Sequence, residues 1–162
     1  MSEMVYGIKT PVRLEYIHHA GRAQSRFYGG IVEGKLLGQR CPECRKVYVP
    51  PRGSCPTCGV PTDEEVRLSD RGIVTTFCIV NIPFLGQTVR PPYVCASILL
   101  DGADIPLFHL VQEIPVADVR MGMRVEAVWA PREELAPTME SIRYFRPTGE
   151  PDADYDAYKE HL

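Results

Sequence analysis

Two cysteine pairs, Cys41-Pro42-Glu43-Cys44 and Cys55-Pro56-Thr57-Cys58, decide how this chain folds. The two-residue gap within each pair allows both thiolates to turn toward one point, so two such turns facing each other supply four sulfur ligands. Zinc prefers this tetrahedral arrangement, with Zn–S bonds of about 2.3 Å. The spacing therefore predicts a zinc ribbon over residues 36–62, with Cys41, Cys44, Cys55 and Cys58 as the metal ligands.

The predicted zinc site has four protein ligands and so no open coordination position. Such a site cannot bind and activate water, and the metal is expected to contribute folding energy and no chemistry of its own. A disulfide framework is the competing use of these cysteines, and it requires an exported protein. Because Met1 to Gly7 lack the basic start and apolar stretch of a secretory signal, we expect a cytoplasmic protein with reduced thiols.

The composition is that of an ordinary globular protein. Of the 162 residues, 44% are hydrophobic and 24% are charged, close to the averages for soluble domains. No apolar run reaches membrane-spanning length, so no membrane partner is expected. The net charge is −3, with a small positive excess over residues 1–40 and a negative excess over residues 146–162. That balance is far from the dense basic patch of a nucleic-acid-binding protein.

Helix-forming stretches precede the predicted ribbon. They run around Arg13 to Ala20 and Ala23 to Glu33, with glycines at their ends, and they predict an N-terminal helical segment over residues 1–35. At the other end, residues 147–162 contain Pro147, Gly149, Pro151 and several aspartates. We expect an acidic C-terminal tail there, lying on the surface or on a partner.

Short strand-like runs follow the ribbon and alternate with turn signals such as Asp101-Gly102 and Met121-Gly122. Five or six strands without a long helix between them favour a small antiparallel barrel of the OB type over residues 63–146, because closure removes exposed sheet edges. The expected fold is therefore mainly β: N-terminal helices, a rubredoxin-like zinc ribbon and an OB-type barrel. The predicted strands are Glu65–Leu68, Ile73–Ile82, Tyr93–Leu100, Ile105–Val111, Arg124–Ala130 and Ser141–Phe145.

The remaining reactive residue types form no recognisable catalytic set. Cys78 and Cys95 lie within strand-like runs and lack metal-ligand spacing, so we interpret them as core positions. The adjacent His18 and His19, and His109, have no acid–base companion that the sequence reveals. A catalytic role for this chain would rest on those histidines together with Asp101 and Asp104.

Taken in order, the motifs around the ribbon resemble one family. The order of parts carries the resemblance, since a single cysteine pair occurs in many unrelated zinc proteins. The motifs that carry it are Phe27-Tyr28-Gly29-Gly30, Glu33-Gly34-Lys35-Leu36, Gln39-Arg40-Cys41-Pro42-Glu43-Cys44, Pro50-Pro51-Arg52-Gly53-Ser54-Cys55-Pro56-Thr57-Cys58, Gly72-Ile73-Val74, Pro92-Tyr93-Val94, Leu100-Asp101-Gly102 and Gly122-Met123-Arg124-Val125. In these motifs the chain is similar to zinc-ribbon plus OB-fold proteins known as domain of unknown function 35, and the similarity extends from about Phe27 onward.

One position departs from the family pattern. A glycine often follows the second cysteine in relatives, whereas this chain has Arg45 there and keeps a glycine, Gly59, after the fourth cysteine. If Arg45 adopts a positive φ, the strain costs on the order of 1 kcal/mol. The departure affects the symmetry of the turn and leaves the ligands unchanged.

The resemblance implies an accessory subunit that works beside a thiolase-superfamily enzyme on acyl-coenzyme A (acyl-CoA) thioesters. The partner, a thiolase or thiolase-like aldolase, would carry the nucleophile and form or cleave a carbon–carbon bond. Bulky steroid-type side-chain thioesters are among the substrates that the resemblance implies. A single-stranded nucleic-acid binder is the alternative, because OB barrels and zinc ribbons both serve that role.

Five residues are candidate contacts for the substrate or for CoA in that family context. Arg22 and Arg26 lie four apart, on one face if the stretch is helical, and guanidinium groups suit phosphates. The long loop at residues 83–92 joins two predicted strands, a favoured place for binding. The candidates are Arg22, Arg26, Phe27, Phe84 and Arg90.

Overall fold

The structure, a computed structural model, describes residue 7, residues 12–17 and residues 19–162. The described part is mainly β, as predicted, and the helix, the ribbon and the barrel follow one another in the predicted order. Short 3-10 turns connect several of the strands. The elements are α1 (Arg22–Val32), β1 (Leu36–Arg40), β2 (Val47–Tyr48), β3 (Glu64–Leu68), β4 (Arg71–Val80), β5 (Tyr93–Leu100), β6 (Leu107–Val111), β7 (Arg124–Trp129) and β8 (Ile142–Pro147).

Of the two predicted N-terminal helices, only the second is present in the described residues. The helix predicted around Arg13 to Ala20 is wrong, because residues 12–17, 19 and 20 have no regular secondary structure. Val12, Leu14 and Tyr16 recur every second residue and all three are exposed. That period of two does not form the apolar stripe of a helix, which needs spacings of three and four.

Helix α1 packs through one face. Phe27 and Ile31, four residues apart, are both buried, and the helix lies against β1. Gly30 permits this close packing, because a Cβ there would meet the Leu37 side chain at 2.6 Å. The helix ends at Val32 with Glu33 as its C-cap, and the next residue, Gly34, has a φ of +70°, the left-handed conformation that glycine adopts without strain.

The zinc-ribbon segment forms a three-stranded antiparallel sheet in the order β2-β1-β3. β3 pairs along the whole of β1, from Leu36 opposite Leu68 to Arg40 opposite Glu64. β3 therefore continues the ribbon sheet beyond residue 62. The domain boundaries remain predictions.

The second sheet closes into a five-stranded barrel in the order β4-β5-β6-β8-β7, and β7 pairs back onto β4. All of its pairings are antiparallel except that of β6 with β8, which is parallel. The prediction of an antiparallel barrel is therefore wrong at this one seam. A closed ring with an odd number of strands cannot alternate in direction throughout, so at least one parallel pair is required.

One continuous apolar core joins the helix, the ribbon and the barrel. Along β5, Val94, Ala96 and Ile98 are buried at every second position, the pattern of a strand with one face toward a core. These side chains belong to the same buried cluster as Phe27 and Leu36. The barrel and the N-terminal elements are therefore held together by shared burial of apolar surface.

The C-terminal segment beyond Pro147 lies on the barrel. The guanidinium of Arg120 donates two hydrogen bonds to the Asp152 carboxylate, and the Ala153 N–H donates to the Gly122 carbonyl at 2.8 Å. Tyr158 is buried beside Gly122. The acidic segment is thus packed against its own chain.

The Asp104 carboxylate links the barrel to the ribbon. Asp104, in the loop between β5 and β6, accepts a hydrogen bond from the buried Val47 N–H at 2.8 Å, and its own N–H donates to the Val47 carbonyl at 3.0 Å. Replacing Asp104 by alanine leaves the Val47 N–H without that acceptor, so we expect the free energy of unfolding to fall by about 1–3 kcal/mol. Urea denaturation of the purified protein measures the change.

Two further variants serve as controls for this prediction. Asp104→Asn keeps an acceptor oxygen and should lose less stability than Asp104→Ala. Asp156→Ala removes an exposed pair with Lys159, which should cost less than about 1 kcal/mol. Equal losses in Asp104→Ala and Asp156→Ala would contradict the proposed link.

Candidate metal centre and the surrounding surfaces

The two cysteine pairs fold into matching turns. In the first turn the Cys41 N–H donates to the Lys46 carbonyl at 2.9 Å and the Arg45 N–H donates to the Cys41 carbonyl at 3.1 Å. In the second, the corresponding bonds of Cys55 and Gly59 are 2.8 and 2.9 Å. Backbone hydrogen bonds of this kind fix each turn so that both of its thiols face the same point.

The four sulfur atoms lie at the spacing that a tetrahedral zinc site requires. The ligand atoms of Cys41, Cys44, Cys55 and Cys58 are all within 4.8 Å of one another. With Zn–S bonds of about 2.3 Å, the edge of an ideal sulfur tetrahedron is about 3.8 Å, and the Cys44 and Cys55 sulfur atoms are 3.7 Å apart. The residues present fit a structural zinc ion held by four thiolates.

Tyr48 tunes the cluster from β2, the strand between the two cysteine turns, a role that the sequence analysis missed. Its buried hydroxyl lies 3.2 Å from the Cys55 sulfur, and this hydrogen bond lowers the pKa of the Cys55 thiol to about 6. The same contact raises the pKa of Tyr48 to about 12. A donor aimed at a sulfur stabilises the thiolate that a metal binds. In the sequence, the position of a tyrosine between the two cysteine pairs was the signal that could have predicted this role.

Arg45 adopts the conformation expected of the glycine that relatives often carry. Its φ is +62°, next to +72° at Gly59 in the matching turn. The guanidinium of Arg45 lies 3.2 Å from the Glu64 carboxylate on β3. The turn therefore keeps its symmetry, and the side chain reaches out to the neighbouring strand.

The two predicted phosphate contacts lie together beside the ribbon. Arg22 and Arg26 are exposed on α1 and line a cleft of about 390 Å³ with Gln39, Thr62 and Asp63. Within the described residues, neither arginine forms an ion pair. Both side chains are available to an anion that enters this cleft.

The other three candidates are placed differently. Phe27 is 1% exposed in the core and packs edge-on against Tyr28, so the structure does not support its prediction as a substrate contact. Phe84 is 62% exposed, and Arg90 is exposed farther along the same loop. The structure therefore separates the arginine cleft beside α1 from the loop on the barrel.

A second cleft, of about 450 Å³, lies on the barrel beside that loop. Thr88 and Val89 of the loop, Cys95, Phe108 and His109 of the strands, and Met139 line it. His109 is packed edge-on against Phe145, and its Nε2 lies 3.4 Å from the Met139 carbonyl. Its contacts are with the backbone and an aromatic ring, which is the arrangement of a structural histidine.

The unpaired cysteines of the barrel do not lie in the core. Cys78 is exposed and Cys95 is half-buried, because both belong to the outward-facing set of their strands. The prediction of core positions is wrong here, since the alternation on β4 and β5 places Phe77 and Val94 inside instead. Of the histidines, His19 is exposed and His18 lies outside the described residues.

Comparisons with known proteins agree with this architecture. The family model described as the ChsH2 rubredoxin-like zinc ribbon domain matches residues 29–64, and the model described as the ChsH2 C-terminal OB-fold domain matches residues 65–130. A DUF35 domain-containing scaffold protein from Methanocaldococcus jannaschii is 40% identical over 96 residues, which cover 58% of this chain and 67% of the relative. The chain therefore belongs to the DUF35 family.

Two solved structures share the fold. The Ltp2-ChsH2(DUF35) aldolase matches with a TM-score of 0.61 and 24% identity, over 81% of this chain and 98% of that one. A DUF35 protein of unknown function from Sulfolobus solfataricus matches with a TM-score of 0.58 and 20% identity, over 78% and 84% of the two chains. The helix among the described residues falls short, in length and apolar character, of a bilayer-spanning segment.

Loss of one cysteine ligand should weaken zinc binding. Cys58→Ser removes one ligand, so the bound zinc per chain should fall well below the one equivalent expected of the wild type, and the β1–β2–β3 sheet should exchange its amide hydrogens faster. Metal analysis and hydrogen exchange measure the two effects. Cys78→Ser, an exposed cysteine outside the cluster, is the matched control and should keep both values. Full zinc content in Cys58→Ser would contradict the assignment.

His109 generates a pH prediction. Burial lowers the pKa of His109 from its ordinary value of 6.5, so the unfolded chain takes up this proton at a higher pH than the folded protein. Stability from the neutral, buried ring is fully present above about pH 6.5 and is lost as the pH falls below it. His109→Gln should flatten the decline in unfolding free energy over that acidic range. An unchanged slope in denaturant titrations at several pH values would contradict it.

Proposed function

We propose that this chain is a non-catalytic accessory subunit of a thiolase-superfamily enzyme, a thiolase or thiolase-like aldolase. The enzyme would form or cleave a carbon–carbon bond in acyl-CoA substrates, including bulky steroid-type side-chain thioesters. Membership in the DUF35 family carries the proposal, because the M. jannaschii relative is described as a scaffold protein. The structure named as an Ltp2-ChsH2(DUF35) aldolase contributes the shared fold.

The chemistry of the described residues favours an accessory role over a catalytic one. The four-thiolate site has no position for a reacting group, and His109 contacts backbone and an aromatic ring. Binding energy from parts of a substrate remote from its reacting carbon can still lower a barrier. A subunit that shapes and lengthens an acyl-CoA channel would act in this way, in the reducing cytoplasm that suits its free thiols.

The barrel offers an uncharged surface for the catalytic partner. The outward-facing side chains on the paired part of β4, β5 and β6 include Cys78, Ser97, Phe108 and Leu110, and none of these carries a charge. Next to them, Phe84 and the fully exposed Leu85 project from the loop at residues 83–92. Exposed apolar patches of this kind mark protein interfaces. A surface that binds the backbone of a single-stranded nucleic acid would need basic groups here.

Co-purification with a thiolase-like enzyme tests the proposal. The isolated chain should leave acyl-CoA substrates unchanged, and the same substrates should turn over when a thiolase-like subunit that forms a stable complex with it is present. Size-exclusion chromatography followed by activity against short and steroid-like thioesters separates the two cases. Full turnover by the isolated chain would overturn the proposal.

The loop should be part of the docking surface. Leu85→Asp places a charge in an interface that excludes water, so we expect the affinity for the catalytic partner to fall by more than about tenfold. Met121→Asp changes an exposed apolar residue elsewhere on the barrel and is the matched control. Similar affinities for the two variants, measured by calorimetry, would remove the loop from the interface.

The arginine cleft should contact the phosphates of CoA. In the active complex, Arg26→Ala should raise KM for an acyl-CoA by about tenfold, the loss of one charge-assisted hydrogen bond. The corresponding acyl-pantetheine lacks the nucleotide phosphates, so its KM should not change. Arg132→Ala, another exposed arginine, is the control. An equal rise in KM for both thioesters would argue against phosphate contact.

A further inference from the structure

The two cysteines of the barrel face each other across neighbouring strands. Cys78 on β4 and Cys95 on β5 are direct partners in the antiparallel register. The flanking pairs, Phe77 with Ala96 and Ile79 with Val94, place Ala96 and Val94 in the buried core. Since side chains alternate between faces along a strand, both cysteines project from the outer face of the barrel.

This arrangement is close to the geometry of a disulfide bond. Directly opposed residues in an antiparallel pair have Cα atoms about 4.5–5.5 Å apart and Cβ atoms at a similar separation. A disulfide needs Cα atoms about 4.4–6.8 Å apart and Cβ atoms about 3.5–4.5 Å apart. A shift of about 1 Å at the Cβ atoms is therefore enough to join the two sulfurs.

The two thiols differ in access, which sets the order of reaction. Cys78 is exposed to solvent, whereas Cys95 is half-buried at the edge of the barrel cleft. Burial and the nearby Cys78 raise the pKa of Cys95. Cys78 is thus the thiol that meets a reagent first, and Cys95 is placed to attack it afterwards.

We propose that Cys78 and Cys95 form a redox modification site, separate from the zinc cluster, that closes to an intramolecular disulfide by exchange with a low-molecular-weight disulfide of the glutathione class. This inference is independent of the proposed function. The Cys78 thiolate attacks one sulfur of the reagent, forms a mixed disulfide and releases one thiol. The Cys95 thiolate then attacks the Cys78 sulfur and releases the second thiol. The protein loses two electrons and two protons, and the reagent gains them.

Closure of this bond would act on the neighbouring loop. Val80 and Tyr93 form the last pair of β4 and β5 before the loop at residues 81–92. The cysteine pair lies two residues farther from the loop on each strand, at the next outward-facing position. A covalent link there holds together the two strand ends that carry Phe84 and Leu85. The oxidation state of the pair would therefore set how freely the loop base can open.

The test uses the full, zinc-loaded chain and oxidised glutathione as the reagent. Intact mass spectrometry should show a product lighter by two hydrogen atoms, and peptide mapping should locate the link between Cys78 and Cys95. Dithiothreitol should reverse it, with the zinc content unchanged throughout. Hydrogen exchange at residues 81–92 should slow in the oxidised form.

Two variants give the proposal its sharpest test. Cys95→Ser should stop at the first step and accumulate one glutathione adduct on Cys78. The double variant Cys95→Ser/Ser97→Cys moves the second sulfur to the next outward position on β5, a diagonal separation of about 7–8 Å, and should form little or no internal link. A stable glutathione adduct on wild-type Cys78, a link that maps to a ribbon cysteine, or equal linking by the diagonal pair would each overturn the proposal.

Discussion

The attraction between one metal ion and four thiolates is the interaction on which the arrangement of this molecule depends. Apart from the core that it shares with the barrel, the ribbon buries a small cluster of Cys41, Tyr48 and Cys55, and a sheet strand as short as β2 has little stability by itself. Once the two cysteine turns are joined, β1 is fixed in place. Helix α1 packs on β1, and Asp104 of the barrel bonds to β2 at Val47. The cluster therefore fixes the ribbon strands on which the helix packs and to which the barrel is hydrogen-bonded.

The barrel contributes a different property, a closed and rigid frame. Its core side chains come from all five strands and merge with those of α1 and β1, so loops on its surface are carried by a well-packed base. The long loop between β4 and β5 presents apolar side chains to solvent, beside a strand face without charge. Together with the arginine cleft beside α1, these features fit a protein that binds a partner and its substrate and leaves the bond-making groups to that partner.

The parts that the sequence predicts well are those set by local chemistry. Ligand spacing identified Cys41, Cys44, Cys55 and Cys58, and β-branched runs located the strands to within a few residues. The misses come from pairing and register, which spacing does not encode. The parallel seam of β6 and β8 and the outward direction of Cys78 both depend on contacts between distant segments. The helix predicted before α1 is wrong because the apolar residues of that stretch recur with a period of two.

X-ray absorption spectroscopy of the purified, zinc-loaded protein tests the central claim most directly. A metal that only holds the ribbon together should show four sulfur neighbours at about 2.3 Å and no oxygen or nitrogen in its first coordination sphere. An oxygen ligand at about 2.0 Å, with three sulfurs, would reveal an open position on the metal. That result would contradict a purely structural zinc and would indicate that the metal of this chain can take part in a reaction.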